Sequence, residues 1–127
     1  MTDASGRRYR GLRLMHLVDG PRVCAAIEAQ LNDVDPRIFD YLVDFAFGDI
    51  YAREGNVQHR EVAAVAALAA IGGCEAQLRT HLLGAQNVGL SQAEILEILV
   101  TLIPFVGFPK AMNALTVFRQ TFRADRP

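Results

Sequence analysis

Glu61, Cys74 and His81 are the side chains of this sequence whose types and spacing suit acid–base or nucleophilic chemistry. Cys74, Gln77 and His81 stand at i, i+3 and i+7, so a helix through them projects all three from one face. Glu61 lies upstream of a Gly72-Gly73 break, on the same helical stripe as Val65 and Leu68. If the two helices fold back at the glycines, Glu61 lies twelve residues before Gly73 and His81 eight after it. At about 1.5 Å of rise per residue the axial mismatch is only ~6 Å, within reach of a Glu and a His side chain. A carboxylate beside an imidazole sets up a proton donor or acceptor, and the thiol one to two turns away is either a nucleophile or a lining group. The plainer alternatives are a satisfied polar histidine, a cysteine acting as a small buried hydrophobe, and a glutamate near a helix N-terminus. Arg53, Arg60 and Arg79 flank these positions and either hold an anionic substrate or are surface charges.

Helices must position these groups, and the sequence supplies them. Residues 1–18 carry Arg7, Arg8, Arg10 and Arg13 against Asp3, and read as a solvated basic arm or as one that brings cations to a neighbouring subunit. Regular structure is expected from residue 19. Pro21 opens a helix whose Val23, Ala26, Ile27 and Leu31 keep helical spacing to about Asn32. Asp35-Pro36 restarts a helix that frays at Gly48, with a short continuation from Asp49 to Arg53. Asn56 caps a helix from Val57 to Ile71, apolar on every side and therefore expected to be buried all round. A helix from Glu75 to about Gln86 follows the glycine pair. Ser91-Gln-Ala-Glu94 is a capping box, and Pro104, Gly107 and Pro109 interrupt its helix before a last one to about Phe122. Nothing alternates like a strand, so the expected class is all-α, a single compact domain of about six helices.

Bulk properties narrow the function classes. At 127 residues the chain is one domain in length, and 51% hydrophobic content is more than a monomer this small buries, which predicts a homo-oligomer. A net charge of −1 offers no pull on nucleic acid or an anionic membrane. The apolar stretch from Ile98 to Phe108 is too short to span a bilayer, and the polar N-terminus is no secretion signal. Cys24 and Cys74 form no Cys-x-x-Cys pair, so a reducing cytoplasm is the expected compartment. His16 and His59 have no partner at metal-ligand spacing, and no glycine-rich phosphate loop occurs, so neither a metal nor a cofactor is expected.

Nearly the whole chain resembles the carboxymuconolactone decarboxylase family, which shares its fold with the alkylhydroperoxidase D proteins. The likeness runs through Arg8-Tyr9-Arg10-Gly11-Leu12, Phe47 to Arg53, Arg60-Glu61, Ala66 to Gly72, Leu78 to His81, Asn87 to Ile95 and Phe105 to Ala114. It implies a family domain over residues 19–127, assembled as trimers or hexamers with pockets near subunit contacts. It further implies a cofactor-free lyase that removes carbon dioxide from a small carboxylated lactone in aromatic-compound catabolism. By that resemblance His81 relays a proton, Glu61 sets its protonation, and Arg53 or Arg60 holds substrate carboxylates, with Gln77, Tyr51 and Phe105 lining the pocket. The related peroxidases use Cys-x-x-Cys-x-x-x-His, and Gln77 stands here at the second cysteine position. A thiol peroxidase using Cys74 is therefore the alternative, with a non-catalytic small-molecule-binding oligomer as the third reading. Phe105 occupies a place where the decarboxylases often have tyrosine, and the chain has no tryptophan.

Overall fold

The computed structural model describes residues 4–123, and among these every regular element is helical. Seven α-helices and one π-helical segment form two compact units that divide at Asn56. This exceeds the expected six because the N-terminal arginine-rich stretch folds.

The first unit holds α1 (Ala4–Asp19), α2 (Pro21–Asn32), α3 (Pro36–Tyr41) and the π segment Leu42–Tyr51. The expected solvated arm is thus corrected to a helix from Ala4, with residues 1–3 outside the described part. Its reason is apolar: Met15 and Val18 are wholly buried, and Leu12 and Leu14 are half-buried. Two of its arginines, Arg7 and Arg8, are held within the unit. Arg7 Nε donates to Asp49 Oδ1 at 2.8 Å, Arg8 Nη1 donates to Asp40 Oδ1 at 2.8 Å, and Arg8 lies 5.6 Å over the Phe39 ring. The Arg7 guanidinium holds the Asp49 carboxyl below its ordinary range.

The chain does not fray at Gly48. It winds on as a π-helix, with Ala52 N donating five residues back to Phe47 O, so that Val43, Phe47 and Gly48 share the buried side. A Cβ on Gly48 would stand 2.8 Å from the Arg7 carbonyl oxygen, and the bare glycine is what lets α1 lie this close. Asp35 caps α3 by accepting from Arg37 N, with the Arg37 guanidinium folded over it.

The second unit holds α4 (Val57–Ile71), α5 (Glu75–Asn87), α6 (Gln92–Val106) and α7 (Phe108–Arg123). Its core joins Val65 and Ala69 of α4, Leu78, Leu82 and Ala85 of α5, Ile95 and Leu99 of α6, and Ala114, Val117 and Phe122 of α7. At about 1.5–3 kcal/mol for each fully buried large aliphatic, these side chains supply most of the drive for packing the four helices together. Two expectations change here. α4 is not enclosed on all sides, since Ala63, Ala67 and Ile71 are exposed. α6 also runs through Pro104 to Val106. A proline in the last turn forfeits a single bond, and the stop comes at Gly107, whose φ of 83° leaves the helical region.

The capping box forms as read. Ser91 Oγ accepts from Glu94 N and Glu94 Oε1 accepts from Ser91 N, each at 3.0 Å. The backbone and hydroxyl of Ser91 hold Glu94 below its ordinary carboxylate range, and Arg37 does the same to Asp35. A carboxylate lowered in the folded state stabilises above its unfolded value and loses that contribution as pH falls through the folded one. Stability measured by urea unfolding should therefore decline as pH drops below about 4.5, and Glu94→Gln should flatten part of that decline. Ser91→Ala at pH 7 should cost about 1 kcal/mol.

Candidate active site

α4 and α5 form the hairpin expected from the glycine pair. Gly72 and Gly73 both have φ of 72°, a left-handed pair that reverses the chain in the fewest residues and that side chains with a Cβ resist. Two further contacts fix how the helices align. At the open end, Gln58 of α4 donates through Nε2 to Val88 O, just past α5, at 2.8 Å. At the turn, Lys110 of α7 donates to the carbonyls of Ala70 at 3.0 Å and Ile71 at 3.5 Å, capping the end of α4 where the peptide dipoles leave partial negative charge.

Between these fixings the hairpin brings Glu61 and His81 together. Glu61 Oε2 lies 2.9 Å from His81 Nδ1. The carboxylate group is fully buried, whereas the imidazole keeps 23% of its side-chain surface exposed. A buried carboxylate is costly to desolvate unless donors meet it, and Nδ1–H is such a donor. With Nδ1 turned to Glu61, Nε2 is the ring nitrogen on the side away from that carboxylate. The arrangement has the parts of an acid–base device: a sheltered carboxylate that orients the ring, and a partly accessible imidazole that acts.

The surroundings of the other expected site residues are as follows. Cys74 does not continue the helical face of His81, because α5 begins at Glu75 and Cys74 is the residue before it. Its thiol is half-buried and donates to Leu68 O at 3.4 Å. It lines a hollow of about 20 Å³ with residues of α4, α5 and α7, and neither Glu61 nor His81 is in that wall. Such a space holds about one water molecule. Gln77 is exposed, and Phe105 is 80% exposed in the last full turn of α6. Arg60 is half-buried on α4, one residue before Glu61. Arg53 and Tyr51 belong to the first unit, where Arg53 Nε donates to Ile50 O at 2.9 Å and Tyr51 stacks at a tilt on Phe47, ring centroids 5.0 Å apart. Among the described residues no cluster of His, Cys, Asp and Glu could hold a metal ion.

Gln58 and Lys110 were not singled out from sequence. Each acts on backbone carbonyls thirty to forty residues away, and a lone polar residue gives no local sign of such a reach. Glu61→Ala removes the acceptor at Nδ1 and opens space in a closed core. It should lower stability by about 1–3 kcal/mol in urea unfolding, and a double-mutant cycle with His81→Ala should recover a coupling between the two positions.

Residues 36–120, 85 of the 127, match the model of the carboxymuconolactone decarboxylase family, and the matched region contains α4, α5 and the Glu61–His81 pair. The chain is also 28% identical over 119 residues to a 4-carboxymuconolactone decarboxylase of Acinetobacter baylyi, across 92% of this chain and 88% of that protein.

Proposed function

We propose that this chain, which belongs to the carboxymuconolactone decarboxylase family, is a carboxy-lyase acting on a small carboxylated lactone of aromatic-acid breakdown. The observation that carries this reading is the 2.9 Å contact between the buried Glu61 carboxylate and the partly exposed His81 imidazole. The name of the Acinetobacter relative supports the choice of reaction.

The chemistry asks for little else. The bond between the carboxylate carbon and the ring carbon breaks, and carbon dioxide leaves. The electron pair passes into the conjugated lactone carbonyl as an enolate. A proton from His81 Nε2 then closes the new C–H bond, and solvent restores the proton to the imidazole. Glu61 holds the ring so that Nε2, not Nδ1, is offered, and stabilises the ring while it is protonated. Arg60, next to Glu61 on α4, is the cation we assign to a substrate carboxylate, because its planar fork matches two oxygens at once. The substrate's own carbonyl acts as electron sink, so proton placement and charge anchoring are the tasks left to the protein.

The thiol peroxidase reading has less behind it. Cys24, the only other cysteine, is buried in the first unit with its thiol donating to Met15 Sδ at 3.5 Å, and burial pushes that thiol up. Neither feature suits a resolving thiol. A homo-oligomer remains part of the proposal. Ile71, Phe105, Phe108 and Met112 of the second unit are each more than half exposed, a set of large apolar groups that a second copy would cover.

Purified protein supplied with carboxylated butenolides should release carbon dioxide. His81→Ala should lower kcat by about 10²-fold or more, the usual worth of a positioned general acid, and Arg60→Gln should act mainly on KM. Cys74→Ser should keep most of the activity. Absence of turnover in the parent protein, or an unimpaired His81→Ala, would overturn the reading, and turnover of peroxide lost in Cys74→Ser would favour the thiol alternative. Light scattering on the purified protein should give a mass of several chains, and a monomer would remove the oligomer from the proposal.

A further inference from the structure

A larger hollow in the second unit lies where α6 begins and α7 ends. Its lining is Gln92, Phe118, Arg119, Phe122 and Arg123, and its volume is about 200 Å³. α7 presents two neighbouring i, i+4 stripes there, one aromatic and one cationic. The Phe118 and Phe122 rings meet edge to face, centroids 4.9 Å apart at 63°, with Phe122 buried and Phe118 half-buried. They make a rigid apolar floor.

Arg119 and Arg123 stand exposed beside that floor. Like charges four residues apart on a helix repel, and among the described residues no carboxylate lies within ion-pair distance of either. Across the hollow, Gln92 opens α6. The nearby acid, Glu94, is turned back onto Ser91 N and takes no part in the lining. Two cations and an aromatic floor therefore converge on one volume.

We propose that this hollow is a binding site for a small aromatic carboxylate, its ring on Phe118 and Phe122 and its carboxylate between Arg119 and Arg123. A cavity of roughly 150 Å³ accepts benzene, so one ring with its carboxylate fits the space. A guanidinium pair matches carboxylate oxygens in a fork geometry, and an inorganic anion would leave the rings uncovered. Neither Glu61 nor His81 lines the hollow, so the site is separate from the proposed reaction centre and does not depend on the lyase reading.

The full chain is titrated with benzoate and followed by calorimetry and by the NMR shifts of the Phe118 and Phe122 rings. Saturable binding with shifts at these rings is expected. Benzamide, which keeps the ring, and acetate, which keeps the charge, should each bind about tenfold or more weakly than benzoate. The double variant Arg119→Gln, Arg123→Gln should lose about tenfold in benzoate affinity with its circular dichroism and thermal midpoint unchanged, both positions being on the surface. His81→Ala should bind benzoate at these rings as the parent does. The proposal is overturned by benzamide binding as tightly as benzoate, by an unaltered affinity in the double variant, by shifts confined to residues around His81, or by no saturable binding.

Discussion

A carboxylate with no exposed surface makes stricter demands on the 57–123 unit than any other group in it. Removing such a charge from water costs several kcal/mol, and only well-placed donors offset that. Glu61 meets the imidazole of His81 at 2.9 Å, a contact between residues twenty apart in the chain, and it survives only if α4 and α5 keep their relative height. The surrounding features serve that alignment. The paired left-handed glycines set the turn, Gln58 ties the open end, Lys110 closes the last carbonyls of α4, and Val65 and Leu82 fill the seam. Apolar packing supplies the energy and the polar contacts supply the register, since a slip of one turn would move either partner by about 5.4 Å and leave the carboxylate stranded.

The 4–56 unit solves a different problem. Four arginines crowd α1, yet the helix stands because two of them are matched to acids on α3 and the π segment while Met15 and Val18 bury their full surface. Exposed ion pairs contribute at most about 1 kcal/mol each, so the buried side chains carry the helix and the charges mainly fix its orientation. The wider π winding shares this origin. It rotates Val43, Phe47 and Gly48 onto one side, where a bare glycine accepts the Arg7 carbonyl.

The two hollows of the second unit differ in kind because the residues around them differ in size. Beside Cys74 the wall is Gly72, Gly73, Ala69 and Ala114 under Leu68 and Lys110, and the close approach of backbones leaves space for about one water. At the far end of α7, bulky Phe118 and long Arg119 and Arg123 hold the surface apart, and the volume is about ten times larger.

Local grammar alone determined much of this molecule. The proline starts at Pro21 and Pro36, the capping box at Ser91 and Glu94, and the glycine stops at Gly72-Gly73 and Gly107 are short-range preferences, and each helix of the second unit begins and ends close to where they place it. The meeting of Glu61 with His81 was legible too, because a tight hairpin converts residue counting into axial distance. Tertiary structure decided what no neighbouring residue dictates. It folded the N-terminal arginines into α1 by giving Met15 and Val18 a place to be buried, carried the chain through Gly48 as a π-helix, and kept Pro104 inside α6. It also left Cys74 as the residue that precedes α5, with its thiol on Leu68 O and not on the helical face that carries His81. Propensity and spacing act over a few residues, whereas burial depends on side chains that arrive from elsewhere in the chain.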